Sequence, residues 1–302
     1  MKIYGLAFLL LAGSVPAISD ELEDSFGKLK EAEAHKDAVL VKQLAVETCA
    51  LARKQAAEPA PEKEEQKEWW TKHLTYLHGI EAYAEYALYT TAMQVPAASA
   101  VDLLSTLEQQ NAKSKYLDDA YGRYFLALSQ TGAAAKIPVI AERALKNFPE
   151  NEDLLVVLAD NAMDRKQTDR ALQYAERVIS VLGRHGKPDG MSAADWERKR
   201  RLAQGRTRWI AGICHEEKGQ HFEADKDLRV ALPLISGSDA MMASALFYLG
   251  LANYQLGATM REKPRILEAA KLSEQAAAIK GPLSQQAWRN AQAMRAEAQK
   301  VK

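Results

Sequence analysis

Apolar residues recur at i, i+3, i+4 and i+7 along most of the chain, and the strict alternation that marks a half-buried strand is almost absent. The pattern predicts helix after helix. Its breaks coincide with start and stop residues. The stretch Pro59-Ala60-Pro61-Glu62-Lys63-Glu64-Glu65 puts prolines and acids where a helix N-terminus favours them. It opens a long helix that runs to about Gln94 and stops before Val95-Pro96. Pro149, Pro188 and Pro282 mark further boundaries, Ser192 with Asp195 has the form of a capping box, and Gly281 ahead of Pro282 reads as a stop followed by a start. The expected elements are helix pairs at about 21–55, 62–110, 115–148, 152–182, 195–235 and 240–279, then a closing helix at about 283–299.

Composition agrees with long helices. The 302 residues include 52 alanines against 16 glycines and 10 prolines, and the 47% hydrophobic fraction is ample for a core, which excludes a disordered or collagen-like chain. With 40 basic and 40 acidic residues the formal net charge is zero, so there is no overall field to attract nucleic acid or an anionic membrane. The first twenty residues stand apart. A basic start at Lys2 is followed by an apolar run from Ile3 to Ala12, and small residues at 15, 17 and 19 suit cleavage after Ala17 or Ser19. Ten apolar residues fall short of the roughly 20 that span a bilayer, so the segment reads as a secretory signal and the mature chain as exported, periplasmic or secreted, with no integral membrane segment. Cys49 and Cys214 lie 165 residues apart within helical patterns and are expected to be separate buried thiols.

The chain also repeats itself. Leu246 to Gly257 forms an apolar helix with glycines at 250 and 257, and 38 residues earlier Arg208 to Gly219 repeats that frame with Gly212 and Gly219. The first glycine of each pair is expected to let a partner helix approach closely, and the second to turn the chain. After Gly219 come Ala224 and Ala231, seven residues apart on one helix face. The same spacing recurs at Ala171 and Val178 and at Ile137 and Ala144, and Ala144 to Val178 is 34 residues. In these residues the chain resembles the tetratricopeptide repeat, a 34-residue helix-turn-helix unit. The resemblance covers Gly205–Leu232 and Ala245–Gly257 best, Asp118–Val181 less well, and thins before residue 115. Phe125 and Ala159 replace the family's glycine. About 19 extra residues fall near Gly183–Ser192 and about 12 near Ala258–Arg265, as loops or helix extensions.

The resemblance implies an all-α fold, an α-α superhelix of about six helix pairs with a C-terminal capping helix. The corresponding division is a signal at 1–19, degenerate helical repeats at 20–114, tetratricopeptide-like repeats at 115–282 and the capping helix at 283–302. It also implies a concave groove lined by the first helix of each pair. The groove positions fall on Arg206, Trp209, Ile213 and Glu216 in one repeat, and on Ser244, Phe247, Leu251 and Tyr254 in the next. Family members that clamp a peptide carboxylate carry Lys and Asn where this chain has Trp209 with Ile213 and Phe247 with Leu251. The expected groove is therefore apolar with a charged rim, suited to an amphipathic or extended apolar segment, unless the chain's own insertion or closing helix fills it.

Catalytic chemistry finds no footing in the residue spacing. His215-Glu216-Glu217-Lys218-Gly219-Gln220-His221 begins and ends like a zinc-protease signature, but its histidines are six apart instead of four, about 240° round a helix. His73 and His78 also diverge, and Cys214 beside His215 cannot face it on a helix. There is no glycine-rich phosphate loop, Gly-x-Ser-x-Gly or Cys-x-x-Cys, and no metal or cofactor is expected. Trp69, Trp70, Tyr76, Tyr83, Tyr86 and Tyr89 share one long helix. They could form a glycan or peptide platform, although packing between helices is the commoner fate of such a stripe. Arg198, Lys199, Arg200, Arg201, Arg206 and Arg208 form the one dense basic cluster, expected to be a solvated helix face and not a nucleic-acid site. The function expected is a non-catalytic scaffold holding a protein or peptide partner. The alternatives are a self-assembling homo-oligomer and a glycan-binding accessory to an envelope hydrolase.

Overall fold

The computed structural model describes residues 18–184, 186–187 and 191–301, with burial described from Glu21 onward. Residues 1–17, most of the segment read as a secretory signal, and Pro188, read as a helix boundary, lie outside the described residues. All regular structure among the described residues is helical, with thirteen α-helices and no strand. They group into two compact units, one up to Gly132 and one from Ala133.

The first unit holds α1 (Ile18–Ala34), α2 (Ala38–Ala56), α3 (Glu64–Gln94), α4 (Ala97–Gln110) and α5 (Lys115–Gln130). Each packs on its neighbours in sequence, and α1 with α3, α2 with α4 and α3 with α5 also touch. Leu22 and Phe26 of α1 meet Ala52 of α2 and Leu77 and Ile80 of α3 in a shared core, where Phe26 lies edge-on to Tyr83 at 5.3 Å. Ser25 and Thr48 are buried hydroxyls that hydrogen-bond each other at 2.8 Å. The end of α3 is set by Val95, extended ahead of Pro96. Carbonyls left open there accept from Arg123 of α5, Ala92 O at 3.4 Å and Val95 O at 2.6 Å.

The second unit holds α6 (Ile137–Ala144), α7 (Glu152–Asp164), α8 (Thr168–Arg184), α9 (Ala193–Glu217), α10 (His221–Ala231), α11 (Asp239–Met260), α12 (Lys263–Ala278) and α13 (Ser284–Lys300). The first helices of successive pairs, α7 with α9 and α9 with α11, lie against each other. Ser192 caps α9 as expected, accepting from Asp195 N at 3.1 Å while its hydroxyl donates to Asp195 Oδ2 at 2.7 Å.

Four turns inside helix pairs close in one way. A residue with positive φ follows the helix, and the next N–H reaches back five residues. Lys36 (φ 58°), Lys166 (φ 55°), Gly219 (φ 72°) and Arg261 (φ 54°) hold the left-handed position. The returning bonds run from Asp37 to Ala32 O, Gln167 to Ala162 O, Gln220 to His215 O and Glu262 to Gly257 O, at 2.7–3.0 Å. Counted from these turns, Val41 and Thr48, Ala171 and Val178, Ala224 and Ala231, and Ile266 and Ser273 fall in equivalent positions, all wholly buried.

This register corrects two expectations. Gly257 does not turn the chain, because α11 continues one turn past it and Arg261 takes the place that Gly219 holds in the preceding pair. Gly257 is instead a close-approach site, where an added Cβ would lie 3.0 Å from Ile266 N. The equivalent of Ala231 is Ser273 and not Ala277, so the insertion between those pairs is smaller than 12 residues. The first glycines of each frame behave as expected. A Cβ on Gly212 would meet Leu228 Cγ at 2.5 Å, and one on Gly250 would meet Ser273 Oγ at 2.6 Å.

Candidate functional site

The eight residues predicted to line a groove do not form one surface. Ile213 and Phe247 are 2% and 5% exposed and belong to the core that joins α9, α10, α11 and α12, so the apolar centre expected of the groove is packing. Leu251 and Tyr254 are half-buried against a cluster that includes Ile266 of α12 and Met294 and Ala298 of the closing helix α13. Glu216 turns to the loop after α9, where its carboxylate lies 2.8 Å from His221 Nδ1.

The remaining three, Arg206, Trp209 and Ser244, come together on the face shared by α7, α9 and α11. Trp209 is half-buried and its indole N–H donates to Ser244 Oγ at 2.8 Å. Ser244 in turn donates to Met241 O at 3.0 Å, within its own helix. Arg206 lies 4.8 Å over the Trp209 ring, a cation–π contact, and donates to Asp160 Oδ1 of α7 at 2.5 Å. Burial raises the Asp160 carboxyl above the ordinary range despite the opposing pull of Arg206. Tyr248, one turn beyond Ser244, is half-buried edge-on to Phe247, and its phenol is raised by burial and by the negative fields of Glu217 and Glu216. The result is a pre-oriented strip of one carboxylate, one guanidinium and two aromatic rings. Repeat spacing does not select Asp160, Met241 or Tyr248: Asp160 lies in the less well matched repeat, Met241 precedes the aligned frame, and Tyr248 falls between its groove positions.

His215 Nδ1 lies 3.0 Å from Asp227 Oδ2, and the other Asp227 oxygen accepts from Arg208. His215 Nε2 faces a small cleft of about 220 Å³ bordered by Glu176, Glu223 and Lys226, with Glu176 Oε1 3.8 Å away. His215 and His221 thus engage different carboxylates on either side of Gly219. Cys214 and Cys49 are free and buried, and burial pushes their thiols up to about 12 and about 11. No group of three or more His, Cys, Asp or Glu among the described residues has the geometry for a metal ion. In the basic cluster, Arg198, Lys199, Arg200, Arg206 and Arg208 each face a carboxylate and Arg201 is exposed, so most of the positive charge is balanced locally.

The aromatic run on α3 divides. Tyr83 packs on Phe26, and Tyr89 stacks on Tyr116 at 5.5 Å. Trp69, by contrast, is 62% exposed, stacks on His73 at 5.0 Å and 9°, and has a tilted contact with Trp70. No helix among the described residues is long and apolar enough to cross a membrane. A scan of the chain against protein-family models finds no match, and a search of curated proteins finds none either.

Proposed function

We propose that the chain is an exported, non-catalytic scaffold of tetratricopeptide-like helix pairs that holds a protein or peptide partner on the face of α7, α9 and α11. The observation that carries this reading is the Asp160–Arg206–Trp209–Ser244 array. It is partly open and its side chains are already oriented, so a partner would lose little entropy in ordering them. Arg and Trp are also the side chains that most often dominate protein interfaces. Since Ile213 and Phe247 are committed to the core, the proposed contact is aromatic and charge-assisted, in place of the apolar groove expected from the resemblance. A partner segment with a carboxylate to compete for Arg206 and an apolar side chain to cover Trp209 suits it.

Photo-crosslinking from position 248 in the producing cells tests the proposal. A defined adduct is expected, lost in Arg206→Ala with Trp209→Ala and kept when Lys226, outside this strip, is replaced by Ala. An adduct that survives the double substitution would remove the strip as the binding surface. Sequencing the mature N-terminus tests export, with cleavage after Ala17 or Ser19 expected and an intact Met1 contrary to it.

A further inference from the structure

From Glu64 through Tyr76, the first thirteen residues of α3, no side chain is buried. Leu74 joins the core shared with α1 and α2, and Tyr76 donates to Glu23 of α1, so the overhang is the first ten residues, Glu64 to His73, about 15 Å of helix at 1.5 Å per residue. On this overhang Trp69 and Trp70 lie 6.4 Å apart with their rings tilted by 38°, and His73 covers one face of Trp69. The loop leading into α3 folds beside them. Pro59, Pro61, Glu65, Gln66 and the two indoles together border a cavity of about 470 Å³.

We infer that this cavity receives a lysine or arginine side chain presented on a basic segment of a protein partner. Indole faces attract cations through the ring quadrupole, and two tilted indoles offer that face from two sides. The proline rings complete an apolar wall that carries no N–H to compete for an anion. Glu65 supplies the counter-charge. From Glu58 to Lys72 the chain has five Glu and three Lys, and Lys67 and Lys72 are engaged by Glu64 at 2.5 Å and Glu68 at 2.8 Å. Glu65 has no ion-pair partner among the described residues, so the cavity mouth keeps surplus negative charge. A neutral glycan would use the stacking surface and leave that charge unused. The cavity is larger than one side chain needs, which favours a segment with flanking backbone over a free small cation. This site belongs to the first unit and does not depend on the strip of α7, α9 and α11.

The test is calorimetric titration of the full chain at low salt with hexa-arginine, with hexaglutamine and cellohexaose as neutral comparators. Hexa-arginine is expected to bind more tightly than either. Trp69→Ala with Trp70→Ala should weaken it by about tenfold, and Glu65→Gln by about threefold with a shallower salt dependence. Thermal melts of both variants check that these unpacked positions leave the fold intact. Hexa-arginine binding no tighter than hexaglutamine, binding unchanged in the double tryptophan variant, or preferential binding of cellohexaose would each overturn the inference, the last in favour of a glycan.

Discussion

Helices α3 and α9 each open a pair, are 31 and 25 residues long and carry tryptophan near the N-terminal end, yet their extensions meet opposite fates. Trp196 of α9 is 7% exposed, and two turns of helix later Ala203 packs on a cluster from α7 and α8. Lys199 between them reaches Glu152 and Asp153 at the start of α7, each at 2.8 Å. The start of α3 has no such helical neighbour among the described residues, and Trp69 is exposed. Aromatic content and helix length do not decide burial. The presence of a second element alongside does.

The contrast is sharpest for the tryptophans. Trp196→Ala is expected to cost about 3–5 kcal/mol, because it empties a packed site, whereas Trp69→Ala should stay within about 0.5 kcal/mol. Urea unfolding of the two variants checks this, and equal losses would erase the distinction. Glycine substitutions give a contrast of sign. Gly212→Ala forces a Cβ against buried Leu228 and should destabilise by about 1–3 kcal/mol, while Gly79→Ala in α3 meets nothing and should stabilise by about 0.5–1 kcal/mol through helix propensity. Thermal melts of the pair read both signs.

Charge follows the same division. Burial alone would lower the Lys199 ammonium, but Asp153 and Glu152 outweigh it and hold the group above the ordinary lysine value. Its folded value is raised, so its contribution is complete below the unfolded lysine value of about 10.4 and is lost as pH rises beyond that. Lys199→Met should cost about 1–3 kcal/mol at neutral pH by removing the ammonium that two partly buried carboxylates share, whereas Lys72→Met, in an exposed pair with Glu68, should change stability by less than about 0.5 kcal/mol. Denaturation at pH 7 and pH 11 separates them, since the difference should shrink at the higher pH. The smallest effect is chemical. With thiols raised to about 11 and about 12, Cys49 and Cys214 should react with a disulfide reagent at pH 8 only as the chain opens, and prompt labelling of the folded protein would contradict their burial.

Helix order was legible in the sequence, because it depends on local signals. The stop at Gln94 before Val95-Pro96, the Ser192 cap of α9 and the turn at Gly219 all follow from a residue's own backbone preference. The turns at Lys36, Lys166 and Arg261 were not legible. A left-handed lysine or arginine leaves no compositional mark, and the equivalence of Arg261 with Gly219 emerges only from the shared return bond. The candidate strip was legible in part. Repeat spacing selected Arg206, Trp209 and Ser244, but also Ile213 and Phe247, which face the core.

What the sequence determined by itself is an all-helical chain of paired helices with small residues at buried contacts, since periodicity, capping and proline placement act over a few residues. The tertiary structure decided which tryptophan is covered, which acid Arg206 meets and which face of α11 the closing helix takes. Those outcomes depend on contacts between residues tens of positions apart, such as Arg206 with Asp160 and Trp209 with Ser244, for which no local pattern in the chain sets the distance.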